Sequence, residues 1–186
     1  MSQRDPRASR ARLHARCFVA IHAPPSIAGS LLDGLDALPG LRRSAIDDVF
    51  LTLLYIGDLD RRHSISVRES VGRACSGFHR FDLRFEAIET FPRDAPARLV
   101  AAVTDAPSPL LEIQRRLVQR LARTQKSKGE FAPRFTLGRF PAPTSLDLRQ
   151  PVAGDLSFTV RRVALLESFV STDGTDHAEL AAFELP

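Results

Sequence analysis

The chain has 186 residues, 44% hydrophobic and 26% charged, with a formal charge of +4, and of its 26 basic side chains only Lys126 and Lys128 are lysine. No apolar run approaches the roughly 20 residues needed to cross a bilayer. The two cysteines, Cys17 and Cys75, lack a second Cys or His at metal-ligand spacing, so a membrane span and a cysteine metal centre are excluded and both thiols are expected to be buried as small hydrophobes.

Residues 1–15 read as a mobile basic tail, with Arg4, Arg7, Arg10 and Arg12 against Asp5 and almost nothing to bury. A transit peptide has a similar composition, but nothing else in the sequence supports one. Order is expected over 16–186 as a single domain, in a cytoplasmic monomer. Cys17 to Ile21 is an apolar run of strand length ending at Pro24-Pro25. Ile27, Leu31, Leu35 and Leu38 recur at helical spacing until Pro39-Gly40 stops the pattern. Val49 to Ile56 is apolar apart from Thr52, with Tyr55 carrying a hydroxyl, which predicts a strand covered on both faces.

Ser64 to Cys75 carries a weak helical stripe of Ile65, Val71, Ala74 and Cys75, and Phe81 to Phe85 alternates strictly, as a strand with one wet face does. Arg98 to Val103 is a further strand, and Pro107-Ser108-Pro109 opens a helix that points Leu110, Ile113, Leu117 and Leu121 inward. Its outer face carries Arg116, Arg120 and Arg123, followed by Lys126 and Lys128; such a run serves either as a solvated face or as a phosphate-backbone contact. Phe135 to Phe140 is a strand and Pro141 to Pro151 a proline-punctuated loop. Phe158 to Leu166 and His177 to Phe183 close the chain as paired strands joined through Asp173-Gly174. The order reads as two similar halves of an α/β (α+β) protein.

Two segments match: Phe50-Leu51-Thr52-Leu53 and Arg134-Phe135-Thr136-Leu137, 84 positions apart counting from Phe50 to Arg134. Residues i and i+2 share a strand face, so Phe50 with Thr52 and Arg134 with Thr136 would meet across one cleft between halves related by a pseudo-twofold.

With these motifs in view the chain, from Arg16 to Pro186, resembles the 2H phosphoesterases, also called the 2′-5′ RNA ligase or RNA 2′,3′-cyclic phosphodiesterase superfamily. The resemblance rests on Arg16 to Pro25, Leu41-Arg42, Phe50 to Gly57, Phe91-Pro92-Arg93, the second motif with Pro133 before it and Arg139 after it, and Leu166-Glu167-Ser168. It implies a two-lobed fold around a concave cleft. In that family each lobe supplies a His-x-Thr-x motif whose histidines act as general base and general acid on a 2′,3′-cyclic phosphate or a 2′-5′ linkage. The threonines hold phosphate oxygens, and neither metal nor cofactor is implied.

Thr52 and Thr136 match the threonines, whereas Phe50 and Arg134 stand at the histidine positions. Neither exchanges a proton near neutral pH, and a positioned acid or base typically contributes about 100- to 10,000-fold. No histidine lies within five residues of either motif; His14, His22, His63, His79 and His177 are expected on tails, strand ends or loops.

The expectation is therefore a family member that has lost this catalysis and binds a phosphate-bearing small molecule or RNA end through Thr52, Thr136 and Arg134. Phe50 either fills space or stacks on a nucleobase, and Arg134 either clamps phosphate or forms a salt bridge between lobes. Arg42 is placed at the cleft entrance. Arg139 has the opposite strand parity to Arg134 and, without a bulge, faces away. Asp47 and Asp48 read as turn residues, and Tyr55, Glu167 and His22 as weaker candidates. The alternatives are an active phosphodiesterase with another proton carrier and a scaffold with a vestigial cleft.

Overall fold

The computed structural model describes residues 15–59, 61–122, 131–171 and 174–186. The basic tail expected over 1–15 falls outside them except for Ala15, as do Arg123, Lys126, Lys128 and Asp173. The elements are β1 (Ala15–His22), α1 (Pro25–Leu32), β2 (Arg42–Arg43), β3 (Phe50–Gly57), α2 (Arg61–Cys75), β4 (Phe81–Phe91), β5 (Ala97–Thr104), α3 (Ser108–Leu121), β6 (Arg134–Thr144), β7 (Arg149–Pro151), β8 (Ser157–Val160), β9 (Arg162–Ser171) and β10 (Gly174–Glu184).

The strands form a sheet in the order β10-β9-β1-β3-β6-β5-β4-β7, with β2 added to β6 and β8 to β4. Every pairing is antiparallel. Two four-stranded halves meet at β3 and β6, where one residue pair, Leu51 with Phe135, makes the join. Leu51 and Phe135 are fully buried. An antiparallel pair centred on them sets Phe50 and Thr52 beside Thr136 and Arg134 on the opposite face.

All three helices cover one face. Ala28 and Leu31 of α1, Val71 and Ala74 of α2, and Leu110, Ile113 and Leu117 of α3 pack in one core with Val19, Ile21, Leu51, Leu53, Phe135 and Leu137. The other face is left to the cleft, and it carries a small separate cluster of Phe18, Ala20, Ala164 and Leu166, against which Phe50 packs. Cys17 and Cys75 are buried, and burial pushes their thiols up to about 11 and about 12. Among the described residues no helix is long and apolar enough to cross a membrane.

Several local expectations need correction. α1 stops at Leu32, because Gly34 at φ 79° breaks the helix, and Leu35 continues in a separate turn of 3₁₀ helix. The loop expected over 141–151 instead extends β6 to Thr144 and adds the edge strand β7. The strand expected over 158–166 is two strands, β8 and β9, that join different parts of the sheet. β3 is covered on one face only, since Leu51 and Leu53 are buried while Tyr55 is 55% exposed.

Candidate functional site

Both motif strands carry a bulge just after their threonine. In β3, Ala20 pairs with Thr52 and the next residue, Val19, with Leu54, so Leu53 is extra. In β6, Val100 pairs with Gly138 and Ala101 with Thr136, so Leu137 is extra. An extra residue reverses the alternation beyond it. Leu54 and Ile56 accordingly join the main core, while Tyr55 turns to the cleft face and meets the Phe18 ring with centroids 5.7 Å apart. In β6 the same reversal buries Phe140 and exposes Arg139. Arg139 therefore shares the face of Arg134 and Thr136, which corrects the sequence parity argument. Each strand contributes three side chains at equivalent positions: Phe50, Thr52 and Tyr55 from one, Arg134, Thr136 and Arg139 from the other.

Arg42 joins this group. β2 pairs with β6 so that Arg42 stands opposite Arg139, and like charges opposite each other are unfavourable. The close approach depends on Gly138, where a Cβ would fall 2.9 Å from the Arg42 carbonyl oxygen and 3.0 Å from the Leu41 side chain. Ser44 fixes the segment after β2, its N–H donating to the Leu137 carbonyl at 2.8 Å and its hydroxyl to the Thr136 carbonyl at 3.3 Å.

Among the described residues no carboxylate pairs with Arg42, Arg134 or Arg139. The salt bridge between lobes, one of the two roles open to Arg134, is thus absent among them. Its guanidinium instead lies over the Phe91 ring, 4.6 Å from the centroid, and Arg93 lies over the same ring at 5.4 Å. Desolvation, and then the charges of Arg93 and Arg139, pull Arg134 below its ordinary value, with Tyr55 acting in the opposite sense. Arg93 is itself held by the buried Glu89 at 2.6 Å. Arginine stays protonated through such a shift, so this end of the cleft is fixed positive charge beside two hydroxyls.

The Phe50 end is aromatic. Phe50 meets Phe18, His22 and His177 with ring centroids 5.2, 5.6 and 5.1 Å apart. His177 lies inside β10 rather than at a strand end, and its Nδ1–H donates to the Asp48 carboxylate at 2.8 Å. That bond leaves Nε2 as its free nitrogen. His22 is the last residue of β1, half-buried, with Nδ1 3.2 Å from the Asp47 carbonyl. Burial and then the charge of Arg162 pull His22 below its usual value. Sequence reasoning missed His177 and Asp48 as a pair, although it placed Asp48 correctly in a turn. Beyond them opens a cavity of about 670 Å³ lined by residues that include both histidines.

Arg116 of α3 bonds Glu112 at 3.0 Å and stacks over Phe78 at 4.6 Å, so its charge is already engaged. Among the described residues no three metal-ligating side chains gather.

A sequence model described as the 2′-5′ RNA ligase superfamily matches residues 3–169. The chain belongs to that superfamily. Its fold is that of the solved relatives. A Thermus thermophilus protein superposes with a TM-score of 0.81 at 21% identity, over 91% of this chain and 97% of that one. Escherichia coli LigT, crystallised with 3′-AMP, gives 0.80 at 22% identity over 92% and 98%. A protein described as a phosphoesterase gives 0.77 at 23% identity over 91% and 98%. No curated protein sequence matches the chain. In this sequence Phe50 and Arg134 stand at the two positions that the resemblance gives to histidine.

Proposed function

We infer that this member of the 2′-5′ RNA ligase superfamily has given up two-histidine catalysis and binds a phosphate-bearing ligand, a nucleotide or an RNA end, in the cleft. The observation that carries this reading is the placing of Thr52 and Thr136 beside Arg134 and Arg139, both without a carboxylate partner among the described residues. A guanidinium and a hydroxyl on one strand face hold two oxygens of one phosphate. A ligand anion also relieves the repulsion between Arg42 and Arg139. LigT, which shares the fold, has been crystallised with phosphate and with ATP as well as with 3′-AMP, and this supports a phosphate-bearing ligand. The protein is proposed to act as a cytoplasmic monomer.

A second reading has its own observation. His177, oriented by Asp48, lies against Phe50 and is a proton carrier near one vacated position, as an active phosphodiesterase with a different proton carrier would need. One assay separates the readings: purified protein incubated with 2′,3′-cyclic nucleotides and a 2′-5′ dinucleotide is expected to leave both intact. Turnover that depends on Thr52, Thr136 or His177 would replace the binding reading with the catalytic one. If neither turnover nor nucleotide binding occurs at low salt, where a basic cleft binds best, the cleft is vestigial.

A further inference from the structure

The join at Leu51 and Phe135 fixes which donors face one another. An antiparallel pair centred there sets Thr52 directly opposite Arg134 and leaves Thr136 diagonal to Thr52, at the ~7–8 Å of diagonal neighbours. That span holds one tetrahedral oxyanion with a hydrogen bond of ~2.7 Å on each side. Two hydroxyls and a guanidinium fork therefore converge on a single phosphate.

The charge around that point is one-sided on each element that packs there. β6 adds Arg139 and β2 adds Arg42 opposite it. β5 offers only Leu99, Ala101 and Val103, opposite Arg139, Thr136 and Arg134. Glu89 of β4 lies in the same cross-strand row as Thr136, with Ala101 between them and Arg149 of β7 beyond. Its buried carboxylate is shared by Arg93 at 2.6 Å and Arg149 at 3.3 Å, so two guanidinium groups answer one carboxylate and that row too ends positive. Tyr55 of β3 is uncharged near neutral pH. On the Phe50 side, Asp48 is engaged by His177.

Such a site answers the second charge of a phosphate. A monoester brings about −1.5 to −2 charge at pH 7 and three terminal oxygens, one for each of Thr52, Thr136 and Arg134. A diester, cyclic or linear, brings one charge and two terminal oxygens, which leaves one donor and most of the cationic excess unanswered. Histidine at position 134 would titrate near neutral pH, whereas arginine there is a fixed charge.

We propose that the cleft selects a terminal phosphate monoester over a cyclic or linear phosphodiester, and that Arg134, acting with Thr52 and Thr136, tells them apart. The inference rests on the phosphate reading above and names the class of its ligand.

Calorimetric titration of the full chain with adenosine 3′-monophosphate, its methyl phosphodiester and adenosine 2′,3′-cyclic monophosphate tests it, at about pH 7.5, above the second phosphate pKa of ~6. The three share base and ribose and differ in phosphate charge and ring closure. The monoester is expected to bind about 10- to 100-fold tighter than either diester, the range of one more hydrogen bond to a charged group. Arg134→Gln, at an exposed position, removes the charge and keeps an amide donor, and is expected to cut that preference by ~10-fold or more. Equal binding of all three, or tighter binding of either diester, would overturn the selection and leave the phosphate reading standing. A preference undiminished in Arg134→Gln would overturn the role of Arg134 in it. Ring opening of the cyclic compound during the titration would overturn the proposal in favour of the catalytic reading. Failure of all three to bind would overturn the phosphate reading and the selection with it.

Discussion

The Arg134 guanidinium rests on the Phe91 ring at 4.6 Å rather than on a carboxylate. An arginine held by an aromatic face is positioned without being neutralised, so its charge remains available to a ligand. Arg134→Ala is expected to weaken nucleotide binding by about 10- to 100-fold, the range of a charge-assisted hydrogen bond. Phe91→Leu, which keeps the charge and loosens its seat, is expected to cost roughly 3- to 10-fold. Titration calorimetry measures both, and equal losses from the two substitutions would mean that Phe91 does more than orient the guanidinium.

Arg139 faces the same cleft because of the β6 bulge. If it meets a phosphate, Arg139→Met lowers the slope of log affinity against log salt by about 0.7 to 0.9. An unchanged slope would assign Arg139 to the scaffold.

Gly138 has a different role, since its missing side chain is what lets β2 lie close. Gly138→Ala is expected to destabilise the fold by roughly 1–3 kcal/mol through overpacking against Arg42 and Leu41. Binding should weaken as well, because Arg42 moves with β2. Urea unfolding with a parallel nucleotide titration reads the two effects separately.

His22 links the site to pH. Its folded-state value lies below the ordinary 6.5, mainly through burial, so the unfolded chain takes up its proton first as pH falls. Stability owed to this histidine is therefore fully present above about pH 6.5 and is lost as pH drops toward the lower folded value, below which no more is lost. Urea midpoints across that window should fall less steeply in His22→Asn than in the natural chain. Parallel slopes would contradict this.

Placing histidine at both motif positions tests the proposed loss of two-histidine catalysis. Phe50→His with Arg134→His is expected to produce cyclic phosphodiesterase turnover at least ~100-fold above background, the low end of what positioned acid–base pairs contribute. A folded double variant without turnover would mean that the threonines no longer hold phosphate where the pair would act.

The two motif strands and the buried face of α3 were legible because periodicity records burial, and Phe50, Thr52, Arg134 and Thr136 do share a face as spacing requires; in α2 the weak stripe misled, since Ile65 is 69% exposed and Val67 is buried in its place. The bulges were not legible. Leu53 and Leu137 are apolar residues in apolar strands, and only the pairing of β1 with β3 and of β5 with β6 reveals that each is extra. The face that Arg139 occupies was misread for that reason. The Asp48–His177 bond joins residues 129 positions apart, with no local pattern at either end. β2 and β7, two and three residues long, are too short for periodicity to announce.

The bulge at Leu137 behaves like a shift of reading frame within one strand. Upstream, odd-numbered residues such as Phe135 face the core; downstream, the even-numbered Phe140 does. Deleting the extra residue would restore a regular ladder and leave Arg139 on the cleft face, because Gly138 and Arg139 would keep Val100 and Leu99 as partners. Flattening the bulge with every residue kept would instead turn Arg139 into the core and Phe140 out to solvent. The same sequence would then carry the cationic side of its cleft inside out.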